Sequence, residues 1–368
     1  MTETMRKLLF NLHLWAVMIT GIFLIILGAT GAEMIFEEQI DRALNPSLFS
    51  VTPQSQRLPL AELIASVQKT LPGERVMVLT LPQSPDLSAV AMVKGRYSVF
   101  VDPYTGQVKG TRKGQNSFTQ TVHMLHLRLL MGETGGIITT SAAIVLVFLT
   151  ITGIYLWWPL KRVTIARGKS WRRFNFDLHH AVGFYSSVFL LILSFTGVLI
   201  GFEETTVPAM YKWTNTKPTP NTVPSTPVKG ATPITPDQAI AVAGAALPGT
   251  RTVNVGIPPA PKASYRVAVR YPEDRTPGGR SRVIVNQFSG KVLLTESSRT
   301  APAGTRLVNL NRALHTGDIC GWPSKIFACL VCLALLEQIF SGVVMWWKRR
   351  GVEDRVATAK PEEVVDFA

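Results

Sequence analysis

Four of the six histidines recur at matched positions in a duplicated chain, and paired imidazoles are the chemistry this sequence offers. His13 opens the apolar run His13–Gly31, which returns loosely copied as His179–Gly197 at an offset of 166. The same offset pairs Thr30 with Thr196, Gly31 with Gly197 and Phe36 with Phe202. A second offset, 189, pairs His126 with His315, Gly132 with Gly321, Gly153 with Gly342 and Trp157-Trp158 with Trp346-Trp347. His123 and His180 have no such match, because Arg312 and Leu14 stand at their counterparts. Two copies of one plan set the frame in which everything else is read.

A histidine in an apolar helix is costly unless it is paired or binds a metal. Two facing imidazoles at two depths suit two non-covalent b-type haems with histidine on both sides of each iron. His13 and His179 would hold the one nearer the cytoplasm, and His126 and His315 the other. No Cys-x-x-Cys-His run occurs, so covalent attachment is not indicated. His123 shares a helical face with His126, and His180 adjoins His179, so both are secondary ligand candidates. A hydrogen-bonded structural role is the ordinary reading of a lone membrane histidine; repeat-matched pairs argue against it. A zinc transporter or metal-ion channel would add carboxylates to the set. Glu337 is the one acid in mid-membrane, with Phe148 as its repeat partner. It reads as a proton relay, a haem neighbour or a locally paired group. Cys329 and Cys332 lie inside an apolar run and read as small buried side chains.

Four elements must carry these groups. Hydrophobic residues make up 46% of the 368, which is ordinary for a soluble protein, so their distribution decides. Ile137–Trp158 and Ala181–Phe202 contain no charge, Ile326–Trp347 contains only Glu337, and Leu8–Ala32 is nearly as apolar. About 20 apolar residues cross a bilayer. The expected spans are 8–36, 134–158, 179–202 and 324–347. A secretory leader would also begin with Arg6-Lys7, but this run is long and its copy lies mid-chain. The net charge of +14 does not point to nucleic acid. Its dense blocks are a short loop at 159–176 (Lys161, Arg162, Arg167, Lys169, Arg172, Arg173) and the tail at 348–368 opening with Lys348-Arg349-Arg350. That distribution predicts both termini and the loop in the cytoplasm.

The two long segments, 40–120 and 204–315, then face the other side. Each reads as a small α+β module. In the first, Leu58–Leu71 is helical, Arg75–Leu81, Ser88–Lys94 and Tyr97–Asp102 alternate as strands, and Asp102–Gly106 is a turn. In the second, Ile234–Leu247 is helical, Tyr265–Arg270 and Arg282–Asn286 are strands, and Asn286–Gly290 repeats the turn. Lys217–Pro236, rich in Pro and Thr, reads as an extended spacer. One straight helix over 126–158 would run about 48 Å and carry His126 far from His13. Gly132, Gly135 and Gly136, and Gly317, Gly321 and Pro323, can break the two histidine segments and let them fold back. No dinucleotide fingerprint occurs, so electrons would come from a separate donor, a quinol or a cytoplasmic reductase.

Asn11-Leu-His-Leu-Trp15, Leu125-His-Leu-Arg-Leu-Leu130, Asp177-Leu-His-His180 and Leu314-His-Thr-Gly317 resemble the motifs of the PepSY-associated transmembrane family, the iron-regulated bacterial inner-membrane proteins. Asp102-Pro-Tyr-Thr-Gly106 resembles the strand-end motif of PepSY modules, and Asn286-Gln-Phe-Ser-Gly290 a degenerate copy. The resemblance covers residues 5 to 350. It implies an α-helical membrane protein with four transmembrane helices in two pseudo-twofold helix–module–helix repeats, and two α+β PepSY-like modules in the periplasm. It further implies two haems and a ferric-siderophore reductase of the ferrioxamine type. The rival reading is a PepSY peptide-binding or protease-regulating membrane protein without redox activity, or a conduit to another periplasmic acceptor. Phe118, Tyr211, Trp213 and Trp322 are candidates for a docking surface, with interfacial or core packing as the alternative.

Overall fold

The computed structural model describes residues 3–358, apart from residues 96, 115, 159, 162, 166–169 and 229, and for residues 349–358 it describes the backbone only. Arg162, Arg167 and Lys169 of the basic loop and residues 359–368 of the tail therefore lie outside the described residues. Among the described residues, four helices are long and apolar enough to cross a membrane: Glu3–Met34, Gly132–Trp157, Trp171–Gly201 and Trp322–Lys348. They are called the first to fourth spanning helices. The chain divides into two compact units. One comprises residues 1–32, 125–201 and 326–368, and the other 33–124 and 202–325.

In the first unit, Leu24, Ala142, Leu149, Leu190, Val331, Leu335 and Ile339 form the buried core. Trp15, Ile19, Ile22, Ile151, Phe195 and Phe340 point outward and are exposed, which only an apolar solvent makes favourable. Backbones approach closely where side chains are absent. A methyl group on Gly28 would stand 3.0 Å from Cδ2 of Leu336, and one on Gly201 would collide with Thr140. The loop expected over 159–176 is shorter than the sequence indicated, because residues 171–176 are helical. The basic side chain there is tolerated in a helix because Arg173 bonds Asp177 one turn on, at 3.0 Å.

Residues 118–158 are not one helix. Helix Phe118–Arg128 ends at a sharp reversal in which Leu129, Leu130 and Gly132 all take positive φ. A methyl group at Gly135 would collide with the carbonyl of Arg128, and Thr139 Oγ1 donates to Leu127 O at 2.9 Å. The glycine gap and this hydroxyl bond fold the end of Phe118–Arg128 back over the start of the second spanning helix. In the second half, helix Ala303–Thr316 stops at Gly317, whose φ of 74° is the left-handed cap. Ser324 Oγ then donates to Gly317 O at 2.6 Å.

The second unit is built on one antiparallel sheet. Its strands are β1 (Val76–Thr80), β2 (Ala89–Val93), β3 (Tyr97–Val101), β4 (Val108–Lys113), β5 (Arg251–Gly256), β6 (Ser264–Arg270), β7 (Ser281–Asn286) and β8 (Val292–Glu296). Their order is β4-β3-β2-β1-β5-β6-β7-β8, two meanders joined at β1 and β5. That seam aligns Leu79 with Val255 and is extended by Leu81 N to Val253 O and Ile257 N to Met77 O, each at 2.8 Å. Helices Leu60–Thr70 and Pro236–Ala246 bury Leu63, Val67, Ala239 and Ala243 in one core with Leu79, Val255 and Val267. Thr235 and Gln238 form a capping box, while the Asp237 carboxylate accepts from Leu60 N and so caps the other helix. The two predicted turns match. Asp102 Oδ1 accepts from Tyr104 N at 2.8 Å, and Asn286 Oδ1 accepts from Phe288 N at 2.8 Å.

The stretch read as a spacer has no regular element, but it is not loose. Ser225 is buried, its N–H donates to Lys262 O at 2.9 Å, and its hydroxyl accepts from Gln287 N at 3.0 Å. It runs along the sheet unit as part of its fold.

Candidate functional site

Three of the matched histidines have the same local geometry. His13 lies on the first spanning helix, with Nδ1 2.8 Å from Thr152 Oγ1 on the second. His179 lies on the third, with Nδ1 2.8 Å from Ser341 Oγ on the fourth. His126, near the end of Phe118–Arg128, has Nδ1 2.9 Å from Thr30 Oγ1 on the first. Each hydroxyl has one proton, and each already gives it to the carbonyl one turn back: Thr152 to Phe148 O at 2.8 Å, Ser341 to Glu337 O at 2.8 Å, Thr30 to Ile26 O at 2.6 Å. The hydroxyl can then only accept from the ring. That arrangement favours the tautomer with the proton on Nδ1 and the lone pair on Nε2, the state in which a neutral imidazole ligates iron.

Glycine follows each hydroxyl residue and makes room for the ring. A methyl group would stand 3.6 Å from His13 Cε1 at Gly153, 3.5 Å from His179 Cε1 at Gly342, and 3.3 Å from His126 Cε1 at Gly31. A neutral imidazole seated on a hydroxyl and a glycine is the kind of donor that would fit haem ligation by histidine, and His13 and His179 both have it. His315 belongs to the other unit, in the last turn of Ala303–Thr316.

The remaining two histidines are held differently. His180 Nδ1 donates to Phe176 O at 2.8 Å, within its own helix. His123 Nδ1 lies 2.9 Å from Glu37 Oε2 on helix Glu37–Leu44. That carboxylate raises the His123 pKa above its usual 6.5, and partial burial opposes it. A ring that holds its second proton more tightly is a poorer iron ligand.

Polar groups gather around His179. Asn175, buried, donates Nδ2 to Ser341 O at 2.9 Å. Gln338 Nε2 donates to His179 O at 3.0 Å and to Glu337 Oε2 at 2.7 Å. The other Glu337 oxygen is buried without a hydrogen-bond partner among the described residues. Glu337 is therefore locally paired on one side only. Cys329 and Cys332 are partly buried, and Cys320 is exposed.

Of the candidate docking aromatics, Phe118 and Trp213 are exposed, and Trp322 stacks on Phe36 at 5.8 Å. Tyr211 is used internally: it lies against Gly304 and its hydroxyl is 3.0 Å from Thr305 Oγ1. Sequence reasoning passed over Thr152 and Ser341. Their one signal is position, immediately before the repeat-matched Gly153 and Gly342.

Four apolar spanning helices with imidazoles seated between them define a multi-pass membrane protein. The PepSY-associated TM region family matches residues 10–349, nearly the whole chain, and the protein belongs to that family. No curated protein matches the chain.

Proposed function

We propose that this protein carries two non-covalent b-type haems across a bacterial cytoplasmic membrane and reduces ferric siderophores on the periplasmic face. The observation that carries this reading is the shared geometry of His13, His179 and His126: each sets Nδ1 against a hydroxyl that is already bonded to a carbonyl one turn back. Structural histidines have no need of a common tautomer. His13 and His179 would hold the haem nearer the cytoplasm, and His126 and His315 the periplasmic one. The matched ring environments and the two sheet meanders support two repeats about an axis along the membrane normal. The basic residues flanking the spans support cytoplasmic termini and a periplasmic sheet unit.

Haem ligated by histidine on both sides supplies single-electron transfer and leaves no axial position for substrate. The chain's own residues hold the ring planes, exclude water with the apolar core around Leu24 and Leu149, and keep the ligating nitrogens unprotonated. The acceptor then meets the protein from outside. Ferric iron is a hard cation held by the oxygen donors of many siderophores, and ferrous iron is held far more weakly. One electron to the chelated iron releases it and leaves the chelator intact. A quinol or a cytoplasmic reductase supplies that electron.

The test begins with the visible spectrum of the purified protein, which should show b-type haem at two per chain. Anaerobic mixing of the reduced protein with a ferric hydroxamate siderophore and a ferrous trap should then give haem reoxidation and ferrous-complex formation at equal rates and amounts. Haem that stays reduced with several ferric siderophores rules out the reductase and leaves a conduit to another acceptor. A protein without haem leaves the peptide-binding reading. Cysteines placed at Thr105 and Ser289 should react with an impermeant thiol reagent from the periplasm; one at Gly168, outside the described residues, should not.

A further inference from the structure

Buried serine and threonine in an apolar helix ordinarily bond back to their own helix, and this chain has many that do so. Thr150, Ser186 and Ser194 bond one turn back with no imidazole alongside. Thr20-Gly21 even has the same dipeptide, with Thr20 Oγ1 on Ala16 O at 2.7 Å, yet a methyl group on Gly21 would meet Ile339 at 3.6 Å and no ring. Thr152-Gly153, Ser341-Gly342 and Thr30-Gly31 stand apart because each combines three features. The hydroxyl is tied to its helix, an imidazole nitrogen lies within 2.9 Å of it, and the next residue is the glycine over which that ring lies.

We infer that Thr152, Ser341 and Thr30, each with its following glycine, are positioning residues that fix the ligand tautomer and set the electron affinity of the two haems. The inference rests on the haem reading above. A hydroxyl that already donates to a helix carbonyl is disposed to accept from the ring, which favours the ring proton on Nδ1. An acceptor on Nδ1–H makes Nε2 more basic and favours the ferric state of a bound iron. A neutral hydroxyl does this less than a carboxylate would, which leaves the iron easier to reduce than in a carboxylate-backed site. The tied hydroxyl also fixes the ring plane against the glycine, so orientation and basicity are set by the same atom.

The experiment uses the full-length protein purified in detergent, with haem content, anaerobic redox titration and the electron paramagnetic resonance of the ferric haems as readouts. Thr152→Val and Ser341→Ala should each raise the midpoint potential of one haem and change its resonance. Thr30→Val should do the same to the other haem. Thr152→Ser should restore the parent values, and Thr20→Val should change nothing. Loss of one haem in a valine variant, restored by serine, supports the same assignment. Two bound haems with unmoved potentials and resonances in Thr152→Val and Thr30→Val overturn the inference and leave the haem reading standing. A parent protein with no haem overturns both.

Discussion

His13 and His179 rest on equivalent hydroxyl and glycine atoms but in unlike surroundings. Around His179 lie Asn175, Glu337 and Gln338, linked to its helix and to Ser341 by hydrogen bonds. The matching positions around His13 are Leu9, Phe148 and Leu149, all apolar. The two sites share the contact to each ring and differ in what lies one layer behind it. The ring geometry is therefore separable from the polar layer: a tied hydroxyl and a glycine suffice to orient an imidazole with hydrocarbon behind them.

The largest test of this equivalence is removal of the rings. His13→Ala or His179→Ala should each release one of two haems, and His126→Ala or His315→Ala the other, read from absorbance per chain. His180→Ala should keep both. Retention of two haems after all four substitutions would falsify the ligand assignment.

A smaller effect separates the surroundings. Asn175→Leu copies the first half into the second and removes the added hydrogen bond to the Ser341 carbonyl, so stability should fall by about 0.5–1.5 kcal/mol. Thermal unfolding in detergent measures it. Gln338→Leu should also destabilise, because the glutamine lies across Gly183, where a methyl group would stand 2.7 Å from its Oε1. Equal stability in both variants would mean that the polar layer contributes nothing.

The Glu37 hydrogen bond raises the His123 pKa in the folded protein. The pair's stabilisation is thus complete below the unfolded value near 6.5 and is lost as pH rises through the raised folded value. Unfolding of the parent and of Glu37→Gln should converge at alkaline pH. A gap that stays constant from pH 5 to 9 would remove the linkage. The smallest expected effect distinguishes the glycines. Gly31→Ala should disturb the His126 ring, since 3.3 Å is tighter than ordinary contact, whereas Gly153→Ala at 3.6 Å should leave His13 nearly unmoved. The ferric haem resonance reports both.

Much of this was legible in the residues. The four apolar runs located the spanning helices, because length and lack of charge admit little else. Asp102 and Asn286 located the two turns through their side-chain caps. The breaks at Gly132 and Gly317 followed from the excess length of a straight helix. The seam between β1 and β5 was not legible, because β5 follows a turn signal directly and its partner lies two spanning helices away. Helices Glu37–Leu44, Glu203–Trp213 and Ala303–Thr316 were missed because they are short and rich in polar residues. Thr152 and Ser341 were invisible for a different reason: a small hydroxyl in an apolar run looks like any other back-bonded residue until the ring beside it is placed.

The seam between β1 and β5 also bears on how the protein is made. When the first meander leaves the ribosome, β1 has no partner on its outer side, and two further spanning helices must be synthesised before β5 arrives. For that interval the backbone groups of Met77, Leu79 and Leu81 line an open strand edge of the kind that recruits other chains. The helix Leu60–Thr70 waits equally long for the Asp237 carboxylate at its start. Biogenesis therefore has a vulnerable window whose length is set by insertion of the second and third spanning helices, and a chaperone that covers strand edges would act there.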